Sequence, residues 1–162
     1  MTESPITEAA AAVDADLARL QDVLGRLSDA DLHLATPGGG WSVAQVVSHI
    51  SVSTLVWLGT VERLRRDPEL RFVFREEVGH DALGYPPSSV DLAVRRIDSV
   101  RSTLAHCLPA TEDVAERSVE IPDLGTMSIA AWTPLIVGHL QSHVAQAEDI
   151  LRSRHAHPDG DA

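Results

Sequence analysis

Two histidines, His139 and His143, stand four residues apart inside an apolar run of helical periodicity. On an α-helix a four-residue step turns about 400°, which leaves the two imidazoles about 40° apart and roughly 6 Å along one face. That spacing lets both rings reach one metal ion. It also fits two unrelated core histidines, each satisfied by a hydrogen bond, and the pattern alone does not choose between them. The metalloprotease form of the pattern needs a glutamate directly after the first histidine as general base. Leu140 stands there, which removes that chemistry. A third histidine, His49, lies in another apolar stripe beside Val46 and Ile50. Three imidazole nitrogens plus an open position is a recurring catalytic zinc arrangement, with neutral imidazole as the donor. A site of two cysteines and two histidines is impossible, because Cys107 is the sole cysteine.

These histidines must be positioned by helices. Ile6, Ala10, Val13, Leu17, Leu20, Leu24 and Leu27 recur at three- and four-residue steps and predict a first helix over about residues 5–27. Ser28 to Asp31 reads as a cap for one further turn, and Pro37-Gly38-Gly39-Gly40 as a loop. Ser42 with Gln45 forms a capping box for a second long helix reaching about Arg66, before Asp67-Pro68. Its buried face is Val43, Val46, Ile50, Trp57, Val61 and Leu64, with His49 in the stripe. Residues 67–88 are irregular, with a short extended segment at Leu70 to Phe74 and turn chemistry around His80 and Gly84. A third long helix starts near Ser88 or Ser89, with Asp91 at a capping-box position, and ends at Pro109; its apolar face includes Leu92 and Ile97. Residues 109–127 read as a loop or loose hairpin. The fourth long helix starts at Ser128 or at Thr133-Pro134 and runs to about Arg152. The expectation is an all-α protein: an up-and-down four-helix bundle with long second-to-third and third-to-fourth connections and no sheet. It forms one domain over residues 1–155, followed by a flexible tail over 156–162.

Composition narrows the chemistry. Net charge is −11 with acidic residues spread along the chain, which repels phosphate backbones and argues against a nucleic-acid partner. All 13 basic residues are arginine, so Schiff-base catalysis has no lysine to use. No uninterrupted apolar run approaches the ~20 residues of a membrane span, and no membrane partner is expected. Met1 to Pro5 lacks the basic region of a secretion signal, and a lone cysteine suits a reducing compartment; a cytoplasmic protein is expected.

The stretch from Trp41 through Ser42, Gln45 and His49 to Ile50, followed about ninety residues later by His139-Leu140-Gln141-Ser142-His143-Val144-Ala145-Gln146, resembles the DinB/YfiT family. The similarity extends over nearly the whole chain in helix order. It implies a four-helix bundle and a divalent metal, zinc or nickel, held by one histidine from the second long helix and two from the fourth. Residue by residue, these are His49, His139 and His143. Members include thiol-dependent S-transferases and isomerases that use bacillithiol or mycothiol, and a homodimer is a family-level expectation. The implied function is a metal-dependent transferase joining a low-molecular-weight thiol of the mycothiol type to a small electrophilic substrate. Two alternatives stay open. One is a non-catalytic bundle binding metal or a small ligand. The other is a metal-dependent hydrolase, for which Glu148 and Asp149 lie rotated off the His143 face. Weaker site candidates are Gln146, three residues after His143, as an orienting group; His80 as a further ligand or lid proton shuttle; and Trp57 as a pocket wall. His33 reads as a surface residue, and His106 as a cation suited to a helix C-terminus.

Overall fold

Apolar side chains recurring every three or four residues make the N-terminal stretch an amphipathic helix, α1 (Pro5–Leu24), which buries Val13, Leu17, Leu20 and Leu24. Each such leucine contributes about 1.5–3 kcal/mol on leaving water. The computed structural model describes residues 5–35, 40–73, 84–121 and 124–155. Residues 36–39, which include most of the Pro37-to-Gly40 loop, residues 74–83 with His80, and the tail over 156–162 lie outside the described residues. α1 stops at Leu24 rather than at 27, because Gly25 is a poor helix former and the chain tightens there. Arg26 N–H donates to the Val23 carbonyl and Leu27 N–H to that of Leu24, both i to i−3 bonds. The short α2 (Asp29–His33) follows, opened by the expected capping box of Ser28 and Asp31.

α3 (Val43–Arg66) begins at the Ser42–Gln45 capping box: Ser42 N–H donates to Gln45 Oε1 at 2.8 Å, and Gln45 N–H to Ser42 Oγ at 3.3 Å. All six positions of its expected apolar face are buried. By length and composition α3 could cross a membrane, with a mean hydropathy of 1.3 over its most apolar window, although serines and threonines interrupt every apolar run. Since 61% of that window is buried inside the fold, α3 serves as a core helix.

α4 (Val90–Cys107) is capped by Ser89, whose Oγ accepts from Leu92 N–H at 3.3 Å. Leu92 therefore holds the position at which a capping box needs an acid. Asp91, expected there, pairs instead with Arg95 one turn on. The first free N–H of the helix, at Val90, donates to Asp29 Oδ1 of α2 at 2.7 Å. Ala93, rather than Leu92, faces the core.

The two long connections hold more structure than expected. β1 (Phe72–Val73), the four-residue helix α5 (Pro109–Glu112), β2 (Ser118–Ile121) and β3 (Gly125–Ser128) occupy them. The strands form a small sheet in the order β1-β2-β3, parallel between β1 and β2 and antiparallel between β2 and β3, with Val119 opposite Met127. β1 falls in the extended segment expected at 70–74, and β2 with β3 makes the hairpin that was one of two readings for 109–127. Their joining into one sheet corrects the expectation of none, since strands this short are below the length at which a two-residue periodicity can be read. α6 (Ile129–His155) starts at the earlier of the two expected points, with Ser128 Oγ accepting from Ala131 N–H at 3.1 Å. Pro134 lies inside it, one turn in.

The four long helices form a bundle whose neighbours are not in chain order. α1 packs chiefly on α4 and α6, and α3 chiefly on the same two, so α1 and α3 face each other across the diagonal. This brings the helix carrying His49 against the helix carrying His139 and His143. Arg117 fixes how they meet. Its guanidinium donates to the carbonyls of Leu64 (2.9 Å), Asp67 (3.1 Å) and Leu70 (3.2 Å), at the end of α3 and just beyond it. Its own carbonyl accepts from Ile129 N–H, the first residue of α6, at 2.8 Å. From that clamp the rise to His49 is about 22 Å along α3, and to His139 and His143 about 15 and 21 Å along α6, at 1.5 Å per residue. The three histidines therefore lie at similar depth in antiparallel neighbours.

Arg117→Leu should destabilise the protein by about 1.5–3 kcal/mol, the scale for hydrogen bonds to a charged group, read as a lower urea midpoint with unchanged m-value. A second outcome concerns pH. Arg101 of α4 donates to both carboxylate oxygens of Asp14 of α1, at 2.7 and 3.1 Å, and these bonds hold the Asp14 carboxyl below the usual aspartate range. A carboxyl whose pKa is lowered by folding stabilises the fold above its unfolded pKa of about 4, and this contribution is lost as pH falls through the folded value. Asp14→Asn should be less stable than wild type at pH 7, and the gap should close on acidification, as followed by urea midpoints at the two ends.

Candidate metal centre

His49 sits in the second turn of α3, flanked by the buried Val46, Val47 and Ile50, and is itself only 2% exposed. His139 and His143 project from successive turns of α6 on either side of the fully buried Leu140 and are half-buried. The three rings converge. Centroid separations are 5.1 Å for His49 and His139, 4.4 Å for His49 and His143, and 4.5 Å for His139 and His143, each pair edge to face. One ring nitrogen from each lies within 4.8 Å of the other two, and these three histidines make up the cluster, with no carboxylate in it among the described residues.

The donor set suits a metal. Zinc–nitrogen bonds of 2.0–2.1 Å in a tetrahedron put donor atoms about 3.3 Å apart. His49 Nε2 and His139 Nε2 are 3.0 Å apart. Two lone pairs facing at that distance repel unless a proton or a cation lies between them. His143 has its tautomer set from behind: Nδ1–H donates to Gln146 Oε1 at 2.7 Å, which leaves the Nε2 lone pair for the site. Gln146 stands one turn along α6 from the ring it contacts.

Two neighbours were not anticipated. Trp41, the residue before the α3 cap, stacks on His143 with centroids 5.6 Å apart and planes 15° from parallel, and tilts over His49 at 4.9 Å. It walls the imidazoles on one side. Its position in the motif drew attention to the start of α3 and not to this contact, because a residue outside a helix has no face to assign. Ser53 Oγ lies 3.3 Å from His49 Nε2 and 3.5 Å from His139 Nε2. The available signal was its spacing, four residues after His49 and so on the same face.

The other candidates lie elsewhere. Trp57 is buried in the core without ring contact to the histidines, and its Nε1 has no hydrogen-bond partner among the described residues. Glu148 accepts from Arg19 at 2.6 Å, and Asp149 pairs with Arg152, so both carboxylates near the end of α6 are engaged away from the site. His33 and His106 are exposed, and Cys107 is half-buried at the end of α4.

The family model of the DinB superfamily matches residues 12–147, a span that includes all three histidines, Trp41, Ser53 and Gln146. The chain belongs to the DinB superfamily. Among solved structures it is similar to YfiT from Bacillus subtilis, described as a probable metal-dependent hydrolase with an unusual four-helix bundle topology. The TM-score is 0.68 at 16% identity, covering 96% of this chain and 90% of that one. At that identity the likeness carries the fold. A search of curated proteins finds no match.

For a metal held by these nitrogens, Gln146→Leu should weaken binding by roughly 10–100-fold, the usual cost of losing the group that orients a ligating histidine, as measured by competition with a chromophoric chelator.

Proposed function

We propose that His49, His139 and His143 hold one divalent metal ion, zinc or nickel, and that the protein is a metal-dependent transferase joining a low-molecular-weight thiol of the mycothiol type to a small electrophile. The observation that carries this reading is the convergence of three neutral donors with no carboxylate in their cluster among the described residues. A divalent ion held by neutral ligands keeps its full charge and lowers the pKa of a thiol or water in the remaining position. Such a site favours an anionic ligand, as a thiolate is.

What the chain's own residues contribute is positioning. His49, buried on α3, sets the floor; His139 and His143 set two sides; Gln146 keeps the His143 lone pair turned inward; Trp41 excludes water over His143 and His49. A second reading, hydrolysis of a small substrate, draws support from the likeness to YfiT and its description. Hydrolysis benefits from a general base to take the proton of water. The two carboxylates nearest along α6, Glu148 and Asp149, are occupied by Arg19 and Arg152, which favours the thiol.

Protein purified without a histidine tag should carry stoichiometric zinc or nickel by elemental analysis, and His49→Ala should lose it. The loaded protein should consume an activated aryl halide only when a small thiol is supplied, and the His49→Ala variant should not. Thiol-independent cleavage of a generic ester by the loaded protein would instead support the hydrolase. Metal without turnover of either kind would leave a binding protein, and an inability to take up either metal would overturn the site.

A further inference from the structure

Three hydroxyl side chains near Ser53 on α3 share one arrangement. Ser51, Thr54 and Thr60 each donate to the carbonyl four residues back, those of Val47, Ile50 and Val56, at 2.8–2.9 Å. This is the usual resting place of a hydroxyl inside a helix. Ser53 lies among them and does not take it. Its Oγ is turned toward the histidine cluster, 3.3 Å from His49 Nε2 and 3.5 Å from His139 Nε2.

With the 3.0 Å separation of the two Nε2 atoms, these distances close a triangle with edges of 3.0, 3.3 and 3.5 Å. That is close to equilateral, and its mean matches the donor-to-donor edge of about 3.3 Å in a tetrahedral zinc site. A hydroxyl that only needed a hydrogen-bond acceptor had the His49 carbonyl within reach one turn back. One placed at a shared edge of two ligating nitrogens is where a donor belongs.

We infer that Ser53 Oγ is the fourth donor of the site, completing a set of three imidazoles and one neutral hydroxyl. This rests on the metal reading of the three histidines and deepens it. A hydroxyl that keeps its proton is the weakest of the four donors. An anionic ligand therefore displaces it, and Ser53 is then free to donate its hydrogen to that ligand. The residue would hold the position closed against other ligands at rest and yield it to an anion.

Cobalt(II) is the probe, because its visible absorption reports coordination number and a bound sulfur adds a charge-transfer band in the near ultraviolet. Wild-type protein should bind cobalt with the intense absorption of a four-coordinate site. Ser53→Ala should bind it roughly tenfold or more weakly and with an altered visible spectrum, the low end of what loss of a neighbouring group costs at metal sites. Ser53→Thr, which keeps the hydroxyl, should restore both. Ser53→Cys should bind more tightly and show the sulfur-to-cobalt band. Circular dichroism of each variant, taken without metal, separates loss of fold from loss of a donor. If wild type binds cobalt while Ser53→Ala matches it in affinity and spectrum, or a folded Ser53→Cys binds cobalt without the sulfur band, the fourth-donor assignment is overturned and the three-histidine site stands. If folded wild type binds no cobalt, both fall.

Discussion

The structure depends on the meeting of three imidazoles at the α3–α6 contact. A nitrogen-to-nitrogen distance of 3.0 Å between side chains ninety residues apart is a demanding constraint, since a slip of one helical residue moves a side chain by 1.5 Å along the axis and about 100° around it. Apolar packing alone tolerates such slips better than a donor set does. The contact is therefore pinned at both ends. At one end Trp41, just outside the α3 cap, lies against His143 and His49. At the other, Arg117 ties the last carbonyls of α3 to the first N–H of α6. The small sheet that appeared superfluous to a bundle carries this clamp, because Arg117 immediately precedes β2 and Ile129 immediately follows β3.

Charge is arranged in keeping with that site. The chain carries −11 overall, which raises the local concentration of cations. The acidic side chains closest to the functional helices are engaged: Glu148 with Arg19, Asp16 with Arg19 and Gln141, and Glu62 with Arg65 and Arg66, whose bonds push its carboxyl down to about 2. Exposed pairs of this kind contribute little to stability, far less than the leucines of α1. Each of these carboxylates has its partner outside the imidazole cluster. An acidic surface raises the local concentration of cations, while the imidazole cluster itself contains no carboxylate among the described residues.

Much of the architecture was legible along the chain. Helix periodicity and the Ser28–Asp31 and Ser42–Gln45 boxes are local features, formed by residues within one turn of each other, and both boxes form as read. Where local signals competed, the chain-order reading slipped. Of the two expected starts, Ser88 and Ser89, only Ser88 would put Asp91 at the capping-box position; Ser89 caps, and a distant carboxylate, Asp29, serves the first N–H. The extended segment at 70–74 and a hairpin as one of two readings for 109–127 were legible. Their joining into one sheet was not, because two to four residues hold too little pattern and β1 pairs with β2 across about fifty residues.

By itself, then, the sequence determined the helices, their buried faces and which histidines could share a metal, because each of these follows from spacing within a single helix or from a motif. Tertiary structure decided what stands around those histidines. Trp41 over the rings, Ser53 beside two nitrogens and Glu148 bound to Arg19 all follow from how α3 and α6 are rotated and which helices lie beside them. Periodicity places a residue on a face; only packing against another element decides what that face meets.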